Sequence, residues 1–312
     1  MRSHFRFYPV SFSWVAFNLE PKGIIIFIGG IFYGSFPSFF YNYTLKQLFL
    51  EGYTIIVLPF RFTWRHWSVA LSLLREQQIL RKRIPDILKD SGFQYKDYKI
   101  YLENKNYIWL GHSLGCKYIA LLEFLADWRR DSGETYNLMR KSLVNSQEQI
   151  TEIENQIEGI NISLRDQCSI LIAPEISGTE AAIQVPLLPH LIDDFGIGVQ
   201  PTPEDTFNLI ENSPLFNLTA LISFSEDTTI AGTKEDEIII RNGAIGRGTN
   251  TVPWILKVKP HIEEKNLHIQ IKGQHLRPLG LQLGNKIFGP IAAPPENLVP
   301  EILNLLNLLK EK

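Results

Sequence analysis

Residues 107–128 read YIWLGHSLGCKYIALLEFLADW, and this stretch decides the fold. YIWL suits a short buried strand. It runs directly into GHSLG, residues 111–115, and the chain goes on as an apolar helical segment to Trp128. A strand that turns into a helix within so few residues strains the middle one, Ser113, and glycine on both sides removes the side chains that would collide there. The Ser113 hydroxyl is then lifted above the sheet edge. The N–H of Leu114 points to where an oxyanion would form, at a helix N-terminus whose dipole favours negative charge. A glycine-rich strand–helix turn without chemistry is the bland alternative.

Runs like YIWL recur on either side. IIIFIGG (24–30), TIIVLP (54–59), CSILIA (168–173) and TALISF (219–224) are short and continuously apolar. Strands of that kind are buried on both faces and belong to parallel sheets covered by helices. Residues 5–9 and 12–19 add two aromatic, β-branched strands ahead of the turn Pro21-Lys22-Gly23. LHIQIK (267–272) alternates apolar and polar residues, as an edge strand with one wet face does. Helices are expected at 41–50, 67–89, 114–128 and 296–312. About eight strands alternating with helices predict an α/β protein with a mostly parallel sheet.

Two stretches interrupt the alternation. Residues 131–167 are polar and read as an exposed helical insertion. Residues 175–217 include VPLLPHLIDDFGIGVQPTPEDTFNLI, apolar and punctuated by proline, and read as a cap over a site. With no repeat and no clear linker, residues 1–312 are expected to form one domain. The net charge is −2, without the basic excess of a nucleic-acid binder. Two cysteines, Cys116 and Cys168, exclude a disulfide scaffold and a cysteine-built metal site. No apolar run reaches the roughly 18 residues of a spanning helix. The opening MRSHFRFYPVSFSW lacks the apolar core of a secretory signal. The expectation is a soluble protein of a reducing compartment, not secreted, with no metal and no cofactor.

A serine hydroxyl needs a base, and the base needs an orienting carboxylate. On this kind of turn the partners follow in the order serine, acid, histidine. Asp227 lies in the loop after TALISF, and His275 in the loop after LHIQIK, so both belong to the sheet edge that carries Ser113. Glu175 and Glu226 are rival acids. A second oxyanion donor is expected from the loop GGIFYG (29–34), with the N–H of Ile31 first and that of Gly30 second. His112 should point away from the nucleophile, as a packing or hydrogen-bonding residue. Cys116 reads as a packing residue and His190 as part of the cap. His4, His66, His261 and His268 fit no ligand spacing. Arg61, Trp64, Arg65 and Trp67 form an aromatic–basic cluster. Its bland reading is buried tryptophan under snorkelling arginine, and its sharp one an anionic head group or a membrane surface.

These residues carry a resemblance. The elbow GHSLG with Asp227 and His275 in order resembles the α/β-hydrolase superfamily. PVSFSWVAF, FIGGIFYGSFP, LPFRFTWRHW, LIAPEISGTEAAI, FNLTALISF and GQHLRPLG further resemble an uncharacterised α/β-hydrolase family of cyanobacteria and plastids, a domain of unknown function. The likeness runs over residues 7–284 and is weakest in 131–167. It implies a mostly parallel eight-stranded sheet flanked by helices, with a cap, and Ser113 as nucleophile, Asp227 as acid and His275 as base. It also implies a cytoplasmic or stromal location, and it brings no substrate. Many superfamily members have His-Gly where this chain has Gly29-Gly30.

The function expected is hydrolysis of an ester or thioester. The apolar cap suggests a hydrophobic acyl group, a lipid ester first, lined by Leu187, Leu188, Leu191, Ile192 and Phe195. Peripheral membrane contact fits such a substrate. An acyltransferase on the same scaffold, or a non-catalytic binding or assembly protein, are the rival readings.

Overall fold

The computed structural model describes residues 4–127, 147–176, 201–212, 218–227, 230–231, 239–241, 244–246, 251–283, 286–288 and 297–311. Its centre is an eight-stranded sheet built from β1 (Tyr8–Val10), β2 (Ser13–Ala16), β3 (Ile24–Ile28), β4 (Thr54–Val57), β5 (Tyr107–His112), β6 (Cys168–Ile172), β7 (Thr219–Phe224) and β8 (His268–Ile271). The spatial order is β1-β2-β4-β3-β5-β6-β7-β8. β1 pairs antiparallel with β2, and β2 antiparallel with β4. Every pair from β4 through β8 is parallel.

The apolar runs explain that order. β3 to β7 are buried along their whole length, as strands covered on both faces must be. β1 and β8 stand at the two edges and alone leave residues partly or wholly exposed beyond a single position. The alternation in 267–272 thus marks a true edge.

The longer helices among the described residues are α1 (Asn42–Leu50), α2 (His66–Asp90), α3 (Leu114–Asp127), α4 (Gln147–Gln156), α5 (Pro203–Asn212), α6 (Thr251–Val258) and α7 (Leu298–Lys310). Helix α7 buries Leu298, Ile302, Leu305, Leu306 and Leu309, one stripe at helical spacing, against α1, β6 and β7. Helix α2 packs on α3. None of the described helices is long and apolar enough to cross a membrane.

Within the polar stretch 131–167, the described part does not behave as a wholly exposed insertion. Ile153 on α4, with Ile157, Ile162 and Leu164 beyond it, is buried in the core. The isoleucine spacing outweighs the charged residues between them. Two small antiparallel pairs, Ile239–Arg241 with Ala244–Gly246 and Leu281–Leu283 with Lys286–Phe288, had no signal in the sequence reading. Most of the expected cap, residues 177–200 and 213–217, lies outside the described residues, and so do Leu187, Leu188, His190, Leu191, Ile192 and Phe195.

Candidate active site

The chain leaves β5 at His112 and enters α3 at Leu114, so Ser113 alone makes the turn. Its φ is 55°, in the left-handed region that a side chain adopts at a cost of about 1–3 kcal/mol. The turn is pinned on both sides. The Ser113 N–H donates to the Ile172 carbonyl at 3.0 Å, and its carbonyl accepts from Cys116 at 3.0 Å and from Glu175 at 3.2 Å. The flanking glycines are required by space. A Cβ on Gly115 would overlap the Ile28 carbonyl oxygen and stand 2.7 Å from its carbon; one on Gly111 would stand 2.7 Å from Ile119 Cδ1.

Because β5, β7 and β8 run parallel, the loops that follow them open on one edge. Asp227 follows β7, and His275 follows β8. The structure brings both to Ser113. Ser113 Oγ lies 2.8 Å from His275 Nε2, and His275 Nδ1 lies 2.6 Å from Asp227 Oδ2. A carboxylate can only accept, so Nδ1 carries the proton and donates to Asp227, leaving Nε2 to accept from the serine hydroxyl. All three residues are buried.

Burial pushes the Asp227 carboxyl upward. The hydrogen bond and charge of His275, and the N–H groups of Ile230 and Ala231 at 3.2 Å each, outweigh it and hold the group below its ordinary range. Of the rival acids, Glu226 is exposed and Glu175 is buried beside α3, where its charge acts on Cys116 and Lys117. Neither makes the contact with His275 that Asp227 makes.

The loop after β3 abuts the nucleophile. A Cβ on Gly30 would stand 3.2 Å from Ser113 Cβ. Gly30 is not available as an oxyanion donor, which corrects the sequence reading: its N–H donates to Tyr41 Oη at 2.7 Å. Among the described residues, neither the Ile31 N–H nor the Leu114 N–H, at the first position of α3, has a protein acceptor. The same tyrosine explains the missing histidine. A Cβ on Gly29 would come within 2.7 Å of the Tyr41 ring, so no side chain fits there.

Tyr41 and His112 form a directed chain of hydrogen bonds. His112 Nε2 faces the His275 carbonyl at 2.9 Å and must donate to it, so Nδ1 accepts from Tyr41 Oη at 2.8 Å, and Tyr41 in turn accepts from Gly30. The loop after β3 and the loop that carries His275 are thereby tied through one neutral imidazole. Burial, and then the neighbouring His275, lower the pKa of His112 to about 3. The sequence left His112 as either a packing or a hydrogen-bonding residue and showed neither of its partners. It missed Tyr41, one aromatic in the run FFYNY with nothing to distinguish it.

Cys116 is buried with its thiol 3.6 Å from the Ile172 carbonyl, and burial holds its pKa well above the ordinary thiol value, so it stays protonated. Trp67 is buried and Trp64 half-buried, while Arg61 and Arg65 are exposed.

The strand order and the elbow define an α/β-hydrolase fold. Residues 7–244 match the family described as "Protein of unknown function (DUF1350)", and the chain belongs to that family. The matched residues include Ser113 and Asp227 and end before His275. No curated protein matches the sequence. Among solved structures, the butyrate-bound esterase Est2 of Thermogutta terrifontis aligns with 96% of this chain and 87% of its own, at 12% identity and a TM-score of 0.49. An esterase of Pyrobaculum calidifontis aligns with 84% of this chain and 71% of its own, at 13% identity and a TM-score of 0.40.

Proposed function

We propose that the protein is a serine hydrolase acting on a carboxylic ester or thioester. The observation that carries this reading is the hydrogen-bonded line Ser113 Oγ–His275 Nε2 (2.8 Å) and His275 Nδ1–Asp227 Oδ2 (2.6 Å), starting from a strained elbow. Ser113 attacks the acyl carbonyl while His275 Nε2 takes its proton. Asp227 holds the imidazole in the productive tautomer and stabilises its positive charge. Collapse of the tetrahedral intermediate expels the alcohol or thiol, which receives that proton from His275. Water, deprotonated by His275, then releases the acid from the acyl-enzyme. The N–H groups of Leu114 and Ile31 stabilise the oxyanion in both halves, each contributing about 2.7–4 kcal/mol to the transition state. The apolar sequence of residues 185–210 supports a hydrophobic acyl group.

The test is turnover of p-nitrophenyl esters of increasing acyl length by the wild type and by Ser113→Ala. The expected result is wild-type hydrolysis that rises with chain length from acetate and is absent from the variant. Equal rates for wild type and Ser113→Ala would remove the serine from the reaction. A flat or falling chain-length profile would remove the apolar acyl site.

A further inference from the structure

The loops that frame the site on the side of β3 and β4 are unusual in composition and exposure. Phe32 and Phe36 in the loop after β3, and Phe39 in the short helix Pro37–Phe40 that follows it, stand 58%, 67% and 52% exposed, and that loop begins against the nucleophile at Gly30. Three exposed phenylalanines within eight residues present apolar surface that water does not favour. The loop after β4 continues it. The Phe32 ring lies 6.0 Å from that of Phe62, which lies 4.7 Å from that of Trp64. On either side of this aromatic chain Arg61 and Arg65 are exposed.

The charge pattern says what such a surface fits. Between Glu20 and Glu76 the only acid is Glu51. It precedes β4, and so belongs to the opposite edge of the sheet. The loop after β8 is bonded to this region through Gly280, whose N–H donates to the Phe40 carbonyl at 2.8 Å and whose carbonyl accepts from Tyr43 at 2.9 Å. That loop carries Arg277, and no acid occurs between Glu264 and Glu296. The loops after β3, β4 and β8 thus combine exposed aromatic rings with arginine and contain no carboxylate. Rings that enter the head-group region and guanidinium groups that meet anionic heads are the two components of interfacial membrane binding.

We propose that these loops dock the protein on an anionic lipid bilayer, with the sheet edge that carries Ser113 turned toward the membrane. What the docking is for, delivery of a lipid acyl substrate, rests on the hydrolase reading; the docking itself does not.

The experiment is co-sedimentation of the full chain with vesicles of phosphatidylcholine alone and of phosphatidylcholine with phosphatidylglycerol. Binding is expected on the anionic vesicles, with a marked loss in 0.5 M salt that requires no variant. Arg61→Gln/Arg65→Gln should weaken partitioning about 25-fold, roughly fivefold per arginine. Phe36→Ser/Phe39→Ser should weaken it about tenfold or more. Ser113→Ala should bind as the wild type does, which separates this proposal from the hydrolase reading. No binding to anionic vesicles, equal binding to neutral ones, or unchanged partitioning of either double variant would overturn it. So would a dimer in solution that Phe36→Ser/Phe39→Ser dissociates, because the surface would then belong to a second copy of the chain.

Discussion

Tyr41→Phe removes one oxygen atom and tests how the site is held. The ring keeps its place against Phe27, at 4.6 Å between centroids, and beneath Gly29. What disappears is the acceptor for the Gly30 N–H at 2.7 Å and the donor to His112 Nδ1 at 2.8 Å. Tyr41 and His112 are fully buried and Gly30 is buried with them, so neither orphaned group gains water. Leaving a buried polar group unsatisfied costs about 1–3 kcal/mol. Two such groups, less the desolvation of the lost hydroxyl, give an expected destabilisation of about 2–4 kcal/mol. At an m-value of about 3 kcal/mol/M in urea, the midpoint should fall by about 1 M. Gly30 precedes Ile31, so release of its N–H frees the loop that is proposed to donate to the oxyanion. An error of about 1 Å in such a group costs up to about 100-fold in rate. The assay pairs urea unfolding with steady-state ester hydrolysis. A lower midpoint together with a kcat reduced about 10- to 100-fold at near-constant KM is expected. An unchanged midpoint would refute the hydrogen-bond chain, and a lower midpoint with intact kcat would confine it to holding the fold.

Other perturbations follow from the same geometry. Ser113→Gly should be about 1 kcal/mol more stable than Ser113→Ala, because both lack the hydroxyl and only alanine is strained at a φ of 55°; equal melting temperatures would contradict this. Gly115→Ala drives a methyl group into the Ile28 carbonyl and should cost about 3 kcal/mol or more in thermal stability and abolish turnover. Folded His112 has a pKa of about 3 against 6.5 for the free side chain, so its contribution is complete above pH 6.5 and is lost as the pH falls toward 3. His112→Gln should therefore flatten the acid limb of the urea-stability profile in that window, and an unchanged limb would contradict the buried neutral imidazole. Lys117 is buried with its Nζ 2.9 Å from the Pro201 carbonyl, and burial lowers its pKa from 10.5 to about 7. Between those values the unfolded chain holds more protons, so stability should rise with pH from 7, by up to about 1.4 kcal/mol per unit, and Lys117→Met should remove the slope.

Much of this architecture could be read from residues alone because its signals are local. Each central strand is a continuous apolar run, and the elbow declares itself by two glycines that have no room for a Cβ. Asp227 and His275 were legible because each follows a recognisable strand, which fixes the edge on which it lies. The order β2-β4-β3 was not, since pairing across the sheet depends on crossovers that leave no mark in a strand's own composition. Tyr41 was invisible for a similar reason: its hydroxyl is defined by Gly30 and His112, distant in sequence, and nothing near position 41 reports on either. The same contact removed Gly30 from the donors. Ile153 and Ile157 show the reverse failing: their spacing is visible in ITEIENQIEGINI, but the polar residues around them favoured an exposed reading.

Reaction of the chain with a fluorophosphonate, followed by intact mass and peptide mapping, probes the activation of Ser113 itself, since a hydroxyl paired with a general base displaces fluoride far faster than an ordinary one. One adduct per chain is expected on Ser113, with none in Ser113→Ala and labelling slowed by orders of magnitude in His275→Ala. A wild type that stays unlabelled while folded, or an adduct that persists in Ser113→Ala, would contradict it.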